Sequence, residues 1–165
     1  RKCLEHFVDF VHIIAPHDID PDHISGLMTG IENKSCLYSA EKWDSDILII
    51  DNIGMLSSLY MVARYVYIGG GFGKGIHNIL EPAAYGIPVF FGPKHRKFNE
   101  AADLISLGGA SQVFKPADLT TIIREMENDD AKYTAACLAC SGYIADRSGA
   151  TKIIAQNLIT SLQHP

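Results

Sequence analysis

Apolar residues in this chain fall into short unbroken runs separated by stretches with helical spacing. Phe10-Val11-His12-Ile13-Ile14-Ala15 is apolar apart from one histidine and is closed by Pro16, which predicts a strand. Asp46 and Asp51 bracket Ile47-Leu48-Ile49-Ile50, a run without alternation, as in parallel strands covered on both faces. Tyr65-Val66-Tyr67-Ile68 and Ile87-Pro88-Val89-Phe90-Phe91 read the same way, and Cys36-Leu37-Tyr38 and Gln112-Val113-Phe114 predict two shorter strands. His12, inside the first run, is expected to be a core histidine with its polar atoms satisfied.

Between these runs the period changes. Pro21, flanked by Asp20 and Asp22, suits a first helical position, and Ile24, Leu27, Met28 and Ile31 follow at helical spacing. A second helix is predicted from Gly54 through Ala63 with Leu56, Leu59 and Tyr60 inward, and a third around Ile79, Leu80, Ala83 and Ala84. Phe98, Ala101, Ala102 and Ile105 mark a fourth, stopped by Gly108-Gly109, and Pro116 opens a fifth with Leu119, Ile122, Ile123 and Met126. Two more are expected over roughly 130–146 and 149–162. Six strand–helix alternations predict an α/β fold: a Rossmann-like, open, parallel six-stranded sheet with helices on both faces. Ligands of such sheets bind beyond the carboxyl ends of the strands. Pro16-His17, Asp51 to Leu56, Gly69 to Glu81 and Gly92 to Lys97 are all expected at that edge.

The third of these stretches is the most informative. Gly69-Gly70-Gly71-Phe72-Gly73-Lys74-Gly75 has five glycines in seven positions between a strand and a helix. Such a loop allows positive φ and close approach of a ligand to backbone, and the helix start offers N–H groups to a phosphate or carboxylate. It meets neither the dinucleotide fingerprint, since Lys74 or Ile76 stands where the last glycine is required, nor the P-loop, since Ile68 replaces the first glycine and Gly75 follows Lys74. Asn78-Ile79-Leu80-Glu81 also fits a capping box, in which both side chains serve the helix's own N–H groups and Pro82 falls at the fourth helical position. Lys94-His95-Arg96-Lys97 is a basic run, either a solvated loop or a group that steers an anionic ligand. Asp51 either caps the helix that follows it or meets a ligand.

The chain has 165 residues, 47% hydrophobic, and a formal net charge of -5. That is enough for one domain with its own core, and the charge argues against a nucleic-acid partner. No apolar stretch is long enough to span a bilayer. Cys137-Leu138-Ala139-Cys140 spells C-x-x-C within a helical pattern, without a second pair or a nearby histidine. Core cysteines, like Cys3 and Cys36, are the expectation, in keeping with a reducing cytoplasmic compartment. Arg1, in place of a methionine, and the helix-like residues after it lead us to expect a fragment of a longer protein.

Gly69-Gly70 with His77-Asn78-Ile79-Leu80-Glu81, preceded by Asp51-Asn52-Ile53-Gly54 and followed by Gly92-Pro93 and Phe98, resembles the carboxyl-terminal half of bacterial 3-deoxy-D-manno-octulosonic acid (Kdo) transferases. The resemblance runs from about Val11 to the last helices. It implies a GT-B glycosyltransferase of two Rossmann-like domains, with residues 1–165 as the single donor-binding domain. The implied reaction transfers Kdo from CMP-Kdo to a lipid A precursor with inversion, in lipopolysaccharide biosynthesis. The general-base carboxylate lies in the amino-terminal domain, so no catalytic residue is expected here, nor a metal or cofactor. The missing half would hold the lipid A acceptor and associate with the cytoplasmic face of the inner membrane, while the fragment itself would be soluble.

Carried over by residue, the CMP contacts would be Pro16 and His17, then Gly54, Met55 and Leu56, then Asn78, Ile79, Leu80 and Glu81. Gly70 belongs with them, and His77 would donate to a phosphate or to the Kdo carboxylate. Glu81 would accept hydrogen bonds from ribose hydroxyls, since a carboxylate repels phosphate. Three positions depart from the family pattern: His17 stands where an arginine is frequent, Met55 replaces a glutamate, and Pro82 replaces an alanine. The rival readings are a GT-B transferase or epimerase using a UDP-sugar, and a non-catalytic nucleotide-binding or interaction domain.

Overall fold

Short strands and intervening helices appear where the apolar runs and repeats place them. The computed structural model describes residues 10–31, 34–40, 42–149, 154–156 and 159–160. The strands are β1 (His12–Ile14), β2 (Cys36–Leu37), β3 (Ile47–Ile49), β4 (Val66–Ile68), β5 (Val89–Phe91) and β6 (Ala110–Gln112). The helices are α1 (Pro21–Gly30), α2 (Leu56–Tyr60), α3 (Leu80–Ala84), α4 (Asn99–Leu107), α5 (Pro116–Glu127) and α6 (Asp130–Arg147). Cys3 and most of the helix expected over 149–162 lie outside the described residues, although 154–156 is helical.

The α/β class and the parallel pairing are as expected, but the six strands form two three-stranded sheets rather than one continuous sheet. The chain divides into two compact units, Arg1–Ala63 with Val113–Asp129 and Arg64–Gln112 with Asp130–Pro165. In the first, β3 is central, pairing His12–Ile14 of β1 with its own Ile47–Ile49 and Leu48–Ile49 with Cys36–Leu37 of β2. Asp20 caps α1, its Oδ1 accepting the Asp22 N–H at 2.9 Å, with Pro21 at the first position, where no N–H is missed.

In the second unit β5 is central, with Val89–Phe91 paired to Val66–Ile68 of β4 and to Ala110–Gln112 of β6. All three residues of β5 are buried. Val89 and Phe91, with Ile68, Ile79, Leu104 and Cys140, make the core on which the glycine loop rests. Full burial of each phenylalanine contributes about 1.5–3 kcal/mol. Gly108, at φ 80°, ends α4 as its sequence predicts. A Cβ on Gly109 would lie 2.9 Å from Cys140 Sγ, so that glycine is what lets α6 approach β6.

Four expectations are corrected. β6 lies two residues earlier than Gln112–Phe114, because the Gly109 carbonyl takes the Val89 N–H at 3.1 Å and fixes the register immediately after α4. α2 covers only Leu56–Tyr60, since Gly54 has φ 90° and a helix can begin only beyond it. Leu56, expected inward, is 41% exposed, and Tyr60 is the buried residue of that helix. His12 is half-buried rather than enclosed.

Candidate functional site

The glycine loop after β4 closes on itself. The Gly70 carbonyl accepts the N–H groups of Gly73 at 2.8 Å and Gly75 at 3.2 Å, and the Gly69 carbonyl accepts from His77 at 3.4 Å. Gly70 has φ 85°, and a Cβ there would fall 2.1 Å from the Gly75 oxygen. A Cβ on Gly71 would fall 2.5 Å from the Gly92 nitrogen, and one on Gly92 would fall 2.7 Å from the Gly71 carbonyl carbon. These three glycines are therefore required by backbone-on-backbone packing within the protein. Gly69 differs: nothing lies within 4 Å of its Cβ position, so its backbone faces open space.

The following turn supplies hydrogen-bond donors. Asn78 Oδ1 accepts the Leu80 N–H at 3.0 Å, a turn bond to the residue two ahead, where the expected capping box requires the Glu81 N–H. The helix starts later than that box requires: Leu80 is its first residue and Ile79 its cap, so Glu81 and Pro82 are the second and third helical residues. Pro82 lies in the first turn, where its missing N–H costs no helical hydrogen bond. The backbone N–H groups of Asn78 and Ile79 have no partner among the described residues. The Ile79 side chain is buried in the core, which fixes those two amides in place. With only five residues, α3 offers local N–H groups rather than the dipole of a long helix. His77, Asn78 and Leu80 are exposed and Glu81 is half-buried.

The basic turn after β5 is tied down, not merely solvated. Lys94 donates its backbone N–H to the Gly71 carbonyl at 2.9 Å and its Nζ to the Gly73 carbonyl at 2.8 Å. His95 Nε2 lies 2.9 Å from Gln112 Oε1, and its ring meets Phe91 edge-on at 5.2 Å between centroids. The tautomer carrying hydrogen on Nε2 satisfies that bond and leaves Nδ1 as a buried acceptor without a partner. Sequence reasoning missed the Gly71–Gly92 contact and the His95–Gln112 bond. A glycine at each end of two neighbouring loops was the available signal for the first; nothing local signals the second.

In the first unit, Pro16 is half-buried and His17 exposed just beyond β1. Asp18 and Asp20 follow, Asp18 Oδ1 accepting the Asp20 N–H at 3.0 Å, so this loop is acidic. Gly54 is exposed, and its positive φ, not crowding, is what demands glycine. Met55 is half-buried at the cap of α2, and Leu56 exposes its side chain. Asp51 does not cap α2; its Oδ1 accepts the Ser39 N–H at 3.1 Å and its Oδ2 the Ser39 hydroxyl, holding the turn after β2.

Of the C-x-x-C pair, Cys140 packs in the core as expected, whereas Cys137 is half-buried. Cys140 is fully buried, with Sγ 3.0 Å from the Gly109 carbonyl oxygen and 3.2 Å from that of Ile87. Burial, and secondarily Cys137, pushes its thiol up to about 12. A thiolate is thus disfavoured, and with it redox chemistry or metal ligation at this residue.

The chain is similar to 3-deoxy-D-manno-octulosonic acid transferases. It is 35% identical over 88 residues to that of Aquifex aeolicus, covering 52% of this chain and 25% of the relative. It is 28% identical over 131 residues to that of Rickettsia typhi, covering 75% of this chain and 28% of the relative. The chain thus spans about a quarter of the length of these relatives. No model of a known protein family matches it. Its fold is shared with the C-terminal CMP-Kdo binding domain of WaaA from Acinetobacter baumannii, with a TM-score of 0.73, 17% identity, and coverage of 84% of this chain and 79% of that one. The resemblance drawn from the motifs is borne out as similarity in sequence to curated Kdo transferases.

Proposed function

We propose that this chain is the donor-binding part of a Kdo transferase, a GT-B enzyme that moves Kdo from CMP-Kdo to a lipid A precursor with inversion. The observation that carries the reading is the pair of unpaired N–H groups at Asn78 and Ile79, set by a buried side chain beside the open backbone of Gly69. Adjacent fixed N–H groups suit the oxygens of a phosphate. As the bond from the Kdo anomeric carbon to that phosphate breaks, negative charge grows on the departing CMP, and preorganised donors stabilise it. Gly70 and His77 flank this point. Glu81, in the first turn of α3, takes the ribose hydroxyls.

Pro16, His17, Gly54, Met55 and Leu56, all in the first unit, enter this proposal only as CMP-contact positions carried over from the motif resemblance. The acidic loop after His17 disfavours a phosphate there. In this reading residues 1–165 form one donor-binding domain. The general base, the lipid A acceptor site and attachment to the cytoplasmic face of the inner membrane belong to the rest of the enzyme.

Calorimetric titration with CMP and UMP, with thermal melts, tests the proposal. Wild type should prefer CMP; a preference for UMP would favour a UDP-sugar enzyme, and no binding of either would favour a non-catalytic interaction domain. Glu81→Ala should weaken CMP binding by about 1.5–3 kcal/mol, the range for a hydrogen bond to a charged group. If Glu81 serves only the helix, Glu81→Ala should lower stability by about 1 kcal/mol and leave CMP affinity intact. Glu81→Gln then separates the two roles, since glutamine can still cap but accepts fewer hydrogen bonds from a pair of hydroxyls.

A further inference from the structure

One feature of the second unit is not used by donor binding. Residues 69–98 contain Lys74, Lys94, Arg96 and Lys97 but one acid, Glu81, in a chain whose formal net charge is -5. The backbone brings the four cations together. The turn carrying Lys94 is bonded to Gly71 at 2.9 Å and to Gly73 at 2.8 Å, and Gly92 packs on Gly71. Lys74, Arg96 and Lys97 are exposed and make no ion pair or hydrogen bond with the described residues.

Between Gly71 and Gly73 stands Phe72, 54% exposed at the tip of the loop. One edge of its ring lies against Gly92, where a Cβ would be 3.0 Å away. An aromatic ring held outward on a backbone-stapled loop, beside unpaired cations, is chemistry suited to the boundary between lipid headgroups and acyl chains. A soluble phosphate would need the cations but not the ring.

We propose that the paired loops Gly71–Lys74 and Pro93–Lys97 form a docking surface for an anionic phospholipid bilayer. Phe72 enters the headgroup region, while Lys74, Arg96 and Lys97 meet lipid phosphates. Lys94 keeps the two loops in register through the Gly73 carbonyl. The proposal uses none of the residues assigned to CMP, and it adds a contact made by this chain to the membrane attachment that the donor reading gives to the rest of the enzyme.

Co-sedimentation of the 165-residue chain with vesicles tests it. Vesicles of phosphatidylcholine with phosphatidylglycerol should bind, those of phosphatidylcholine alone should not, and added sodium chloride should release the protein. Each neutralised cation should cost roughly five-fold, so Lys74→Gln with Arg96→Gln and Lys97→Gln should cost on the order of a hundred-fold. Phe72→Ser should cost several-fold at unchanged charge. A control with the same net charge, Lys34→Gln with Arg124→Gln and Lys132→Gln, should bind as wild type. The proposal is overturned by absent binding, by equal binding to neutral vesicles, or by equal loss in the control. It is also overturned if inorganic phosphate displaces the vesicles more effectively than chloride at matched ionic strength, which marks a discrete anion site. Binding of a single-stranded oligonucleotide as tightly as vesicles would mark a general polyanion surface and overturn it too.

Discussion

Gly69→Ala and Gly70→Ala are adjacent, chemically identical changes for which the structure requires opposite results. At Gly70 the added methyl would sit 2.1 Å from the Gly75 carbonyl oxygen, on a residue with φ 85°. The left-handed conformation alone costs about 1–2 kcal/mol for a non-glycine residue. The clash is with backbone, so relief requires opening the turn in which Gly70 accepts from Gly73 and Gly75. A loss of roughly 2–4 kcal/mol follows, at the upper end of local backbone strain with part of one turn hydrogen bond added. For a chain of this size that is a fall of about 5–15 °C in Tm. At Gly69 the methyl meets nothing within 4 Å and φ lies outside the left-handed region. Stability should be unchanged or raised by about 0.4–1 kcal/mol, through loss of freedom in the unfolded chain. If the phosphate of CMP approaches this backbone, however, the methyl displaces it from the Asn78 and Ile79 amides. Losing one such charged hydrogen bond, about 1.5–3 kcal/mol, weakens CMP binding roughly ten- to more than a hundred-fold. Scanning calorimetry and CMP titration on both variants suffice. A Gly70→Ala protein that melts like wild type would refute the packing argument. A Gly69→Ala protein that binds CMP like wild type would show that the open backbone at Gly69 is not where the ligand lies.

Two further outcomes follow from buried groups. The Cys140 thiol is raised from 9.0 to about 12 by burial, so above pH 9 the unfolded chain releases a proton that the folded chain keeps. Its contribution is therefore complete below pH 9 and is lost as pH rises toward 12, with a limiting slope of about 1.4 kcal/mol per pH unit. Urea melts from about pH 8 to about pH 11 should show that decline, and Cys140→Ala should flatten it; equal slopes would count against the burial account. Tyr143 donates its hydroxyl to Asp103 at 3.0 Å, and burial first and that bond second raise its phenol above 10.0. Tyr143→Phe should cost about 0.5–1.5 kcal/mol at neutral pH and make the loss of stability above pH 10 shallower, whereas an unchanged melt at neutral pH would mean that the bond to Asp103 contributes nothing.

The elements most legible in the sequence are those set by local chemistry. β3 and β5 are unalternating apolar runs, α1 is announced by Asp20-Pro21, and α4 is stopped by a glycine that does adopt positive φ. The misplacements arise where a distant partner decides. Val113 and Phe114 have the stronger β character, yet Ala110-Ser111-Gln112 pairs with β5, because the end of α4 delivers those residues to the ladder first. Asp51 has the position of a cap for α2, yet Ser39, from the turn after a neighbouring strand, supplies a nearer N–H and hydroxyl. The division into two three-stranded sheets is likewise a property of pairing, which apolar periodicity does not encode.

The glycine loop shows why composition identifies a site before it identifies the residues that work there. Five glycines in seven residues signal that backbone approaches something, without saying whether the approaching group is ligand or protein. The spacing to Gly92 is not local, so no window of sequence shows that Gly71 packs on it. Once those contacts and the turn around the Gly70 carbonyl are removed from consideration, one glycine with open space remains, and beside it the unpaired amides of Asn78 and Ile79. Ile79 carries no chemistry in its side chain, and its place in the core is what makes its amide useful. A donor held by a buried isoleucine does not reorganise when charge develops on a leaving phosphate, and that is the property transition-state stabilisation requires.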